Sequence, residues 1–366
     1  MLALYDPPKK NIQNVLKQFY DAKIEVKLIT GDYPETAINI AGQVGILNHL
    51  KYITGEAAMS MKEDELKQVV ESTTVFARMF PDAKLKVIDA LKANGEIVAM
   101  TGDGVNDGPA LKSASIGIAM GKRGTEIARQ AADLILTDDN LERMVTAISE
   151  GRKIFNNLRK AVRYIISIHI PIILIASLPL IFGWAFPNIF TPIHVIFLEL
   201  IMGPTCSIFF EREPVEKAIM QQTPRERNSG LFTSEELFIS VVQGIIIASA
   251  GLILYYYFMN HGASLAQTRT IVFTTLIFSN VFLTFADRSF TKTIYYTSRF
   301  KNRLAPVILI ISALFLAALH LVPAIRNLFQ LVAITAGQFW LCFGVAFASV
   351  MWFEIYKTDL LKLNTR

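Results

Sequence analysis

Beyond Arg163 the chain is a succession of apolar blocks, and that pattern restricts its fold more than any other feature. Six blocks, at 161–183, 190–210, 237–258, 270–286, 304–322 and 336–355, carry few charges. As helices, each is long enough to cross the roughly 30 Å hydrocarbon core of a bilayer. Backbone polar groups must be paired within the segment there, so helices are the expected form. Six spans put both chain ends on one side. Connectors assigned to that side hold Arg212, Lys217, Arg225 and Arg227, then Arg288, Lys292, Arg299, Lys301 and Arg303, and the tail adds Lys357, Lys362 and Arg366. The opposite side holds Arg326, with Arg269 near an edge. The bias predicts cytosolic termini in a multi-pass protein, expected in the plasma membrane. Basic loops account for the formal net charge of +5, so no nucleic-acid partner is needed. Cys206 and Cys342 both lie in apolar blocks, where neither a disulfide nor a metal centre is expected.

Residues 1–140 differ in character, because charges recur every few positions. Short apolar runs at 25–29, 75–77, 97–100, 115–119 and 133–136 read as strands. Segments 9–21, 35–44, 62–71 and 82–93 have helical spacing, and Pro34 and Pro81 sit where helices start. The alternation predicts an α/β, Rossmann-like domain with a parallel sheet covered on both faces. Such sheets bind ligands at loops leaving the C-terminal strand ends. Residues 141–160 read as an amphipathic stalk helix running into the first span, a stiff mechanical link between the two parts.

Three polar loops follow strands. Thr30-Gly31-Asp32 offers a hydroxyl and backbone amides that can hold a phosphoryl oxygen, although most such tripeptides are only turns. Arg78 to Lys84 places a lysine in the first turn of the helix opened by Pro81, where it can neutralise a phosphoryl group or simply be solvated. The third loop, Thr101-Gly-Asp-Gly-Val-Asn-Asp-Gly-Pro-Ala-Leu-Lys112, is the most informative. Its glycines permit a tight path, and Asp103 and Asp107, four residues apart at a helix start, suit magnesium, which needs few protein ligands beside water and phosphate.

This run resembles the hinge motif of P-type cation-transporting ATPases, whose catalytic domain is of haloacid-dehalogenase type. Lys27 to Asp32, Phe76-Ala-Arg78, Lys84, Ala131 to Asn140 and Gly151 to Asn157 fall in the family's order and spacing. The branch is similar to the calcium-pump-like pumps in bacterial form. The resemblance implies ATP as substrate and magnesium as cofactor. It implies that Thr30 holds the aspartyl phosphate and Lys84 offsets its charge. Asp103 then ligates magnesium, Asn106 and Asp107 order the phosphate and that metal, and Arg78 approaches the nucleotide alongside Gly31 and Asp32. The phosphorylated aspartate of the family lies in Asp-Lys-Thr-Gly-Thr, a string that does not occur here. The resemblance therefore implies a C-terminal part: a partial phosphorylation domain with a strand missing from its sheet, followed by the six-span domain.

Within the spans, Glu199 is the acid nearest the middle of a block, followed closely by Gly203 and Pro204. Pro204 has no backbone donor and frees a carbonyl one turn earlier. A broken helix beside a carboxylate is a common way to build a cation site. His169 before Pro171 repeats the design, and Asn280 can add an oxygen. The alternative for each is a hydrogen bond that joins helices. Calcium-pump-like members typically carry acids at the positions of Gly203 and near Ile172; here neither is acidic, which leaves the transported cation open. The expected protein is the C-terminal segment of an ion-translocating ATPase, inactive alone and completed by a missing N-terminal half. The competing expectation is a non-catalytic remnant or regulatory membrane protein derived from such a pump.

Overall fold

The strand β3 (Val75–Ala77) is fully buried and sets the architecture of the first part of the chain. Val75 and Ala77 face one apolar cluster and Phe76 faces another, as the two-residue period of a strand requires. A computed structural model describes residues 8–9, 11–184, 188–204, 208–216, 219–225 and 230–363. Two compact units emerge: residues 1–151 with 216–229, and residues 152–215 with 230–366.

In the first unit the order is α1 (Ile12–Asp21), β1 (Leu28–Ile29), α2 (Pro34–Val44), β2 (Tyr52–Thr54), α3 (Gly55–Ser60), α4 (Glu63–Ser72), β3, α5 (Pro81–Ala93), β4 (Ala99–Gly102), α6 (Gly108–Ser113), β5 (Ile116–Met120), α7 (Glu126–Ala131) and β6 (Leu134–Leu136). Pro34 and Pro81 open α2 and α5, where a missing amide proton costs nothing. All pairing is parallel. In place of one continuous sheet there are two of three strands, ordered β1-β3-β2 and β4-β5-β6. Val15, Leu16 and Phe19 of α1 join Ala37, Ala41 and Val44 of α2 over one face of the first sheet. Leu66 and Val70 of α4 with Val87 and Leu91 of α5 cover the other. Ile29 and Val98 pack against both the cluster around Phe76 and the cluster around Met100 and Leu111.

The helix α8 (Glu142–Ile181) runs unbroken for 40 residues despite Pro171 and Pro179 inside it. The second unit continues with α9 (Pro192–Pro204), α10 (Ser234–Asn260), α11 (Leu265–Ala286), α12 (Ile294–Thr297), α13 (Ala305–Leu321), α14 (Pro323–Leu328) and α15 (Ala336–Leu363). Among the described residues four helices, α8, α10, α11 and α15, are long and apolar enough to cross a membrane. Of the other two expected spans, block 304–322 forms the 17-residue α13, and block 190–210 is described as α9 up to Pro204, with 205–207 outside the described residues. Pro323 follows α13, at a point where the ring cannot continue the backbone ladder. The helices α8 and α10 meet through small residues. A side chain on Gly244 would lie 2.7 Å from Ile170 Cβ, and one on Gly251 would lie 2.6 Å from Ile175 Cδ1. Cys342 is a buried free thiol bonded to the Ile271 carbonyl, and Cys206 lies outside the described residues.

Candidate functional site

The loops leaving β1, β3 and β4 carry the polar residues singled out from the sequence. After β1, the Thr30 amide donates to the Phe76 carbonyl at 2.8 Å, so the strand ladder fixes the start of the loop. The Thr30 hydroxyl donates to Asp32 Oδ2 at 2.8 Å and accepts from the Asp32 amide at 3.2 Å. The loop after β3 is zipped to it. The Arg78 amide donates to the Asp32 carbonyl at 2.8 Å and the Met79 amide to the Thr30 carbonyl at 2.9 Å. Arg78 sits at φ 52, in the left-handed region, which turns its side chain back over the Tyr33 ring at 4.6 Å. Gly55 approaches this turn so closely that a Cβ there would lie 2.5 Å from the Arg78 carbonyl oxygen.

The loop after β4 is organised around one carboxylate. Asp107 lies in a single 3₁₀ turn, Val105–Asp107, and is buried. Its Oδ1 accepts from Lys84 Nζ at 2.6 Å, with the two side chains 11% and 13% exposed. Its Oδ2 accepts from the amides of Gly104 at 3.2 Å and Asp103 at 3.3 Å. Lys84 reaches it because Pro81 starts α5 one turn earlier. Gly102 has no room for a side chain, since a Cβ there would lie 2.6 Å from Asp107 Cβ. The Asp103 side chain points outward, and its carbonyl accepts from the Thr125 amide at 2.8 Å. Asn106 is exposed.

Lys84 and Asp107 are thus joined directly, while Thr30, Gly31, Asp32 and Arg78 form a second group through their backbones. Among the described residues no hydrogen bond links the two groups, and no cluster of three or more His, Cys, Asp or Glu side chains forms. The arrangement is a set of loop amides, one ammonium and an exposed carboxylate at adjacent strand ends, suited to an anionic, metal-bearing ligand. Sequence reasoning passed over Gly102 as a close-approach position. Its place directly before two carboxylates was the available signal.

In the second unit, His169 Nε2 of α8 lies 2.9 Å from Glu199 Oε1 of α9, with side chains 37% and 46% exposed. His169 Nδ1 is 2.8 Å from the Ile165 carbonyl, which can only accept, so Nδ1 carries a proton. Asn280 of α11 is not hydrogen-bonded to this pair. Its Oδ1 accepts from the Tyr164 hydroxyl, and its Nδ2 is buried without a partner. The sequence reading also left out two buried ionic groups. Glu213 is fully buried, accepting from Arg288 Nε at 2.7 Å and Asn302 Nδ2 at 2.7 Å, and Asp287 faces Arg163.

Known proteins give these groups a context. Residues 187–358 match the family model described as cation transporting ATPase, C-terminus, and residues 1–115 match that of haloacid dehalogenase-like hydrolase. The chain is 33% identical over 358 residues to "Calcium-transporting ATPase 1" of Lactococcus lactis, covering 97% of this chain and 40% of that protein. It is 33% identical over 346 residues to "Calcium-transporting ATPase" of Bacillus subtilis, covering 94% and 38%. It is also 33% identical over 366 residues to "Probable cation-transporting ATPase F" of Mycobacterium tuberculosis, covering 98% and 40%. The chain spans about two fifths of the length of these relatives.

Proposed function

Because the chain belongs to the P-type cation-transporting ATPases, as their C-terminal part, we propose that it is the segment of an ATP-driven pump that joins phosphate-handling loops to the ion path. The observation that carries this reading is the Asp107 carboxylate, clamped by Lys84 and two amides at the end of β4. Phosphoryl transfer needs positioning and charge neutralisation more than covalent help. Lys84 supplies a positive charge at the strand ends. The Thr30 hydroxyl and the amides of the loop with Gly31 and Asp32 hold phosphoryl oxygens. Arg78 approaches the nucleotide, and Asn106 orders the phosphate. Magnesium suits the chemistry of this loop, because Asp103 carries an exposed carboxylate and its backbone amide is tied to the Asp107 carboxylate. When bound it neutralises the phosphoryl charge, and Asp103 and Asp107 hold it.

The acceptor aspartate comes, in this reading, from an N-terminal portion of the pump. Two observations support that partner. β1 and β4 each pair on one side only and end their three-stranded sheets, so a strand laid between them gains hydrogen bonds on both sides. Glu199 and His169 are also half-exposed on spans, where an uncovered polar pair is costly. Further spans cover that face and add ligands for the transported cation. Calcium is the ion named for several relatives. This chain supplies one carboxylate and one imidazole at that pair, with Asn280 as a further oxygen after a change of partner. In the bilayer, α9 and α13 complete six spans, and both termini lie in the cytosol at the plasma membrane, as the basic connectors favour. The unbroken α8 carries His169 and is the mechanical link to the phosphate-handling unit.

Phosphoenzyme formation from labelled ATP and magnesium tests the reading. The 366-residue chain alone is expected to give no acid-stable, hydroxylamine-labile band. The chain read in frame with upstream coding sequence bearing Asp-Lys-Thr-Gly-Thr is expected to give one. A band from the chain alone, or none from the extended protein, overturns it.

A further inference from the structure

Arg163 of α8 and Asp287, the residue after α11, face each other inside the helix bundle without a hydrogen bond. Their side chains are 2% and 0% exposed, and Arg163 Nη2 comes no closer than 3.9 Å to Asp287 Oδ1. That oxygen accepts one long hydrogen bond, 3.3 Å, from Gln243 Nε2 of α10. Asp287 Oδ2 has no partner, and neither do Arg163 Nε and Nη2.

The charged groups around Asp287 are matched elsewhere. From α15, Lys357 Nζ donates to Glu354 Oε1 at 2.6 Å and to the Ala286 carbonyl at 2.5 Å. The other oxygen of Glu354 accepts from the Ile294 amide at 2.6 Å. On α8 and α10, Arg159 pairs with Glu236, and beyond α11, Arg288 pairs with Glu213. Arg163 is left facing Asp287, yet its guanidinium lies over the Phe290 ring at 4.4 Å and the Phe353 ring at 6.0 Å. Ring faces stabilise that cation without a carboxylate.

A carboxylate with one long hydrogen bond, no exposure and its facing guanidinium nitrogen 3.9 Å away is poorly held as an anion. Burial pushes the Asp287 carboxyl above the usual carboxylate range, against the opposing charges of Arg163 and Lys357. We propose that Asp287 is a proton-binding site within the bundle, separate from His169, Glu199 and Asn280, and that it carries its proton in the arrangement seen here. The step balances simply. A proton from water adds to Oδ2 and gives a neutral acid; its return to water leaves a carboxylate that needs the Arg163 fork brought into direct contact. Arg163 rides on α8, the helix that also carries His169, so a shift of α8 and the protonation of Asp287 favour or oppose one another.

Infrared spectroscopy and thermal melting of the chain in lipid nanodiscs test this. The expected spectrum contains a carboxylic-acid carbonyl band that persists above the ordinary carboxylate titration range and is lost in Asp287→Asn. At neutral pH, Asp287→Asn is expected to melt with the unsubstituted chain, because an amide imitates the neutral acid. The sign of the pH dependence follows. A folded-state affinity for the proton raised above the unfolded value stabilises at low pH, and this stability is lost as pH rises from the ordinary carboxyl range through the raised one. Asp287→Asn should lack that slope. Replacing the hydrogen-bond donor, Gln243→Leu, should hold the band to higher pH. Absence of an Asp287-dependent band, or an Asp287→Asn chain that melts early or does not fold, would each show that Asp287 is the ionised partner of Arg163.

Discussion

Adding one methyl group at Gly102 should dismantle the centre of the Asp107 site. A Cβ there lies 2.6 Å from Asp107 Cβ and 2.9 Å from both Cγ and Oδ2, atoms of the side-chain stem rather than a flexible tip. Asp107 must retreat by about 0.8 Å to restore ordinary van der Waals distance. The amides of Asp103 and Gly104, now 3.3 and 3.2 Å from Oδ2, would then lie outside hydrogen-bonding range. Overpacking costs about 1–3 kcal/mol, and each charge-assisted bond lost adds about 1 kcal/mol at this partly wetted site. A net loss of about 3 kcal/mol corresponds to roughly 6–12 °C in the melting of a unit this size. Gly104→Ala is the control. Its Cβ would meet nothing nearer than 3.7 Å, and its φ of −100 suits any residue. It should melt unchanged or slightly higher. Thermal melting combined with amide exchange at Asp103 and Gly104 reads both effects. If Gly102→Ala melts alongside Gly104→Ala and keeps those amides protected, the clamp around Asp107 does not hold the loop.

Asp103→Asn should leave melting within about 0.5 kcal/mol, since the side chain is exposed, while lowering phosphoenzyme formation in the extended pump by about 100-fold or more; a fully active variant would make Asp103 a turn residue only. Glu199→Gln should abolish cation-stimulated ATP hydrolysis in the extended pump but spare phosphorylation from inorganic phosphate, and near-normal cation affinity in that variant would reduce Glu199 to a helix–helix contact. Glu213→Ala leaves the buried Arg288 without its carboxylate and should cost about 3–5 kcal/mol, measured as early melting in detergent; unchanged melting would mean that water reaches Arg288.

The first unit was legible wherever a pattern was locally strong. β3 and the helices α1, α2, α4 and α5 follow from apolar spacing and from the prolines that open α2 and α5. The strand β2 escaped notice because Tyr52 and Thr54 are not core residues and only Ile53 is buried, so three residues carry no visible alternation. α3 and α7 have six residues each, too short for a helical period to show. The division into two sheets was not legible either. Which strands pair depends on long-range partners, and the edges at β1 and β4 are defined by what lies beside them in space.

In the membrane unit, hydropathy identified four full-length helices, and block 304–322 exceeds the shorter α13 by one residue at each end, within the usual variation of helix bounds. Ionisable residues were read by the same local contrast. Glu199 was found because it interrupts an apolar block. Asp287 and Glu213 sit beyond block ends, among Arg288, Lys292 and Arg212, where a charge is ordinarily solvated. Both are fully enclosed, Glu213 against Arg288 and Asn302 and Asp287 against Gln243 and Arg163. Burial of this kind is a property of tertiary packing. The two acids illustrate its two outcomes: Glu213 is satisfied by Arg288 and Asn302 and so fixes the connectors, whereas Asp287 keeps an unpartnered oxygen and so remains free to change its protonation.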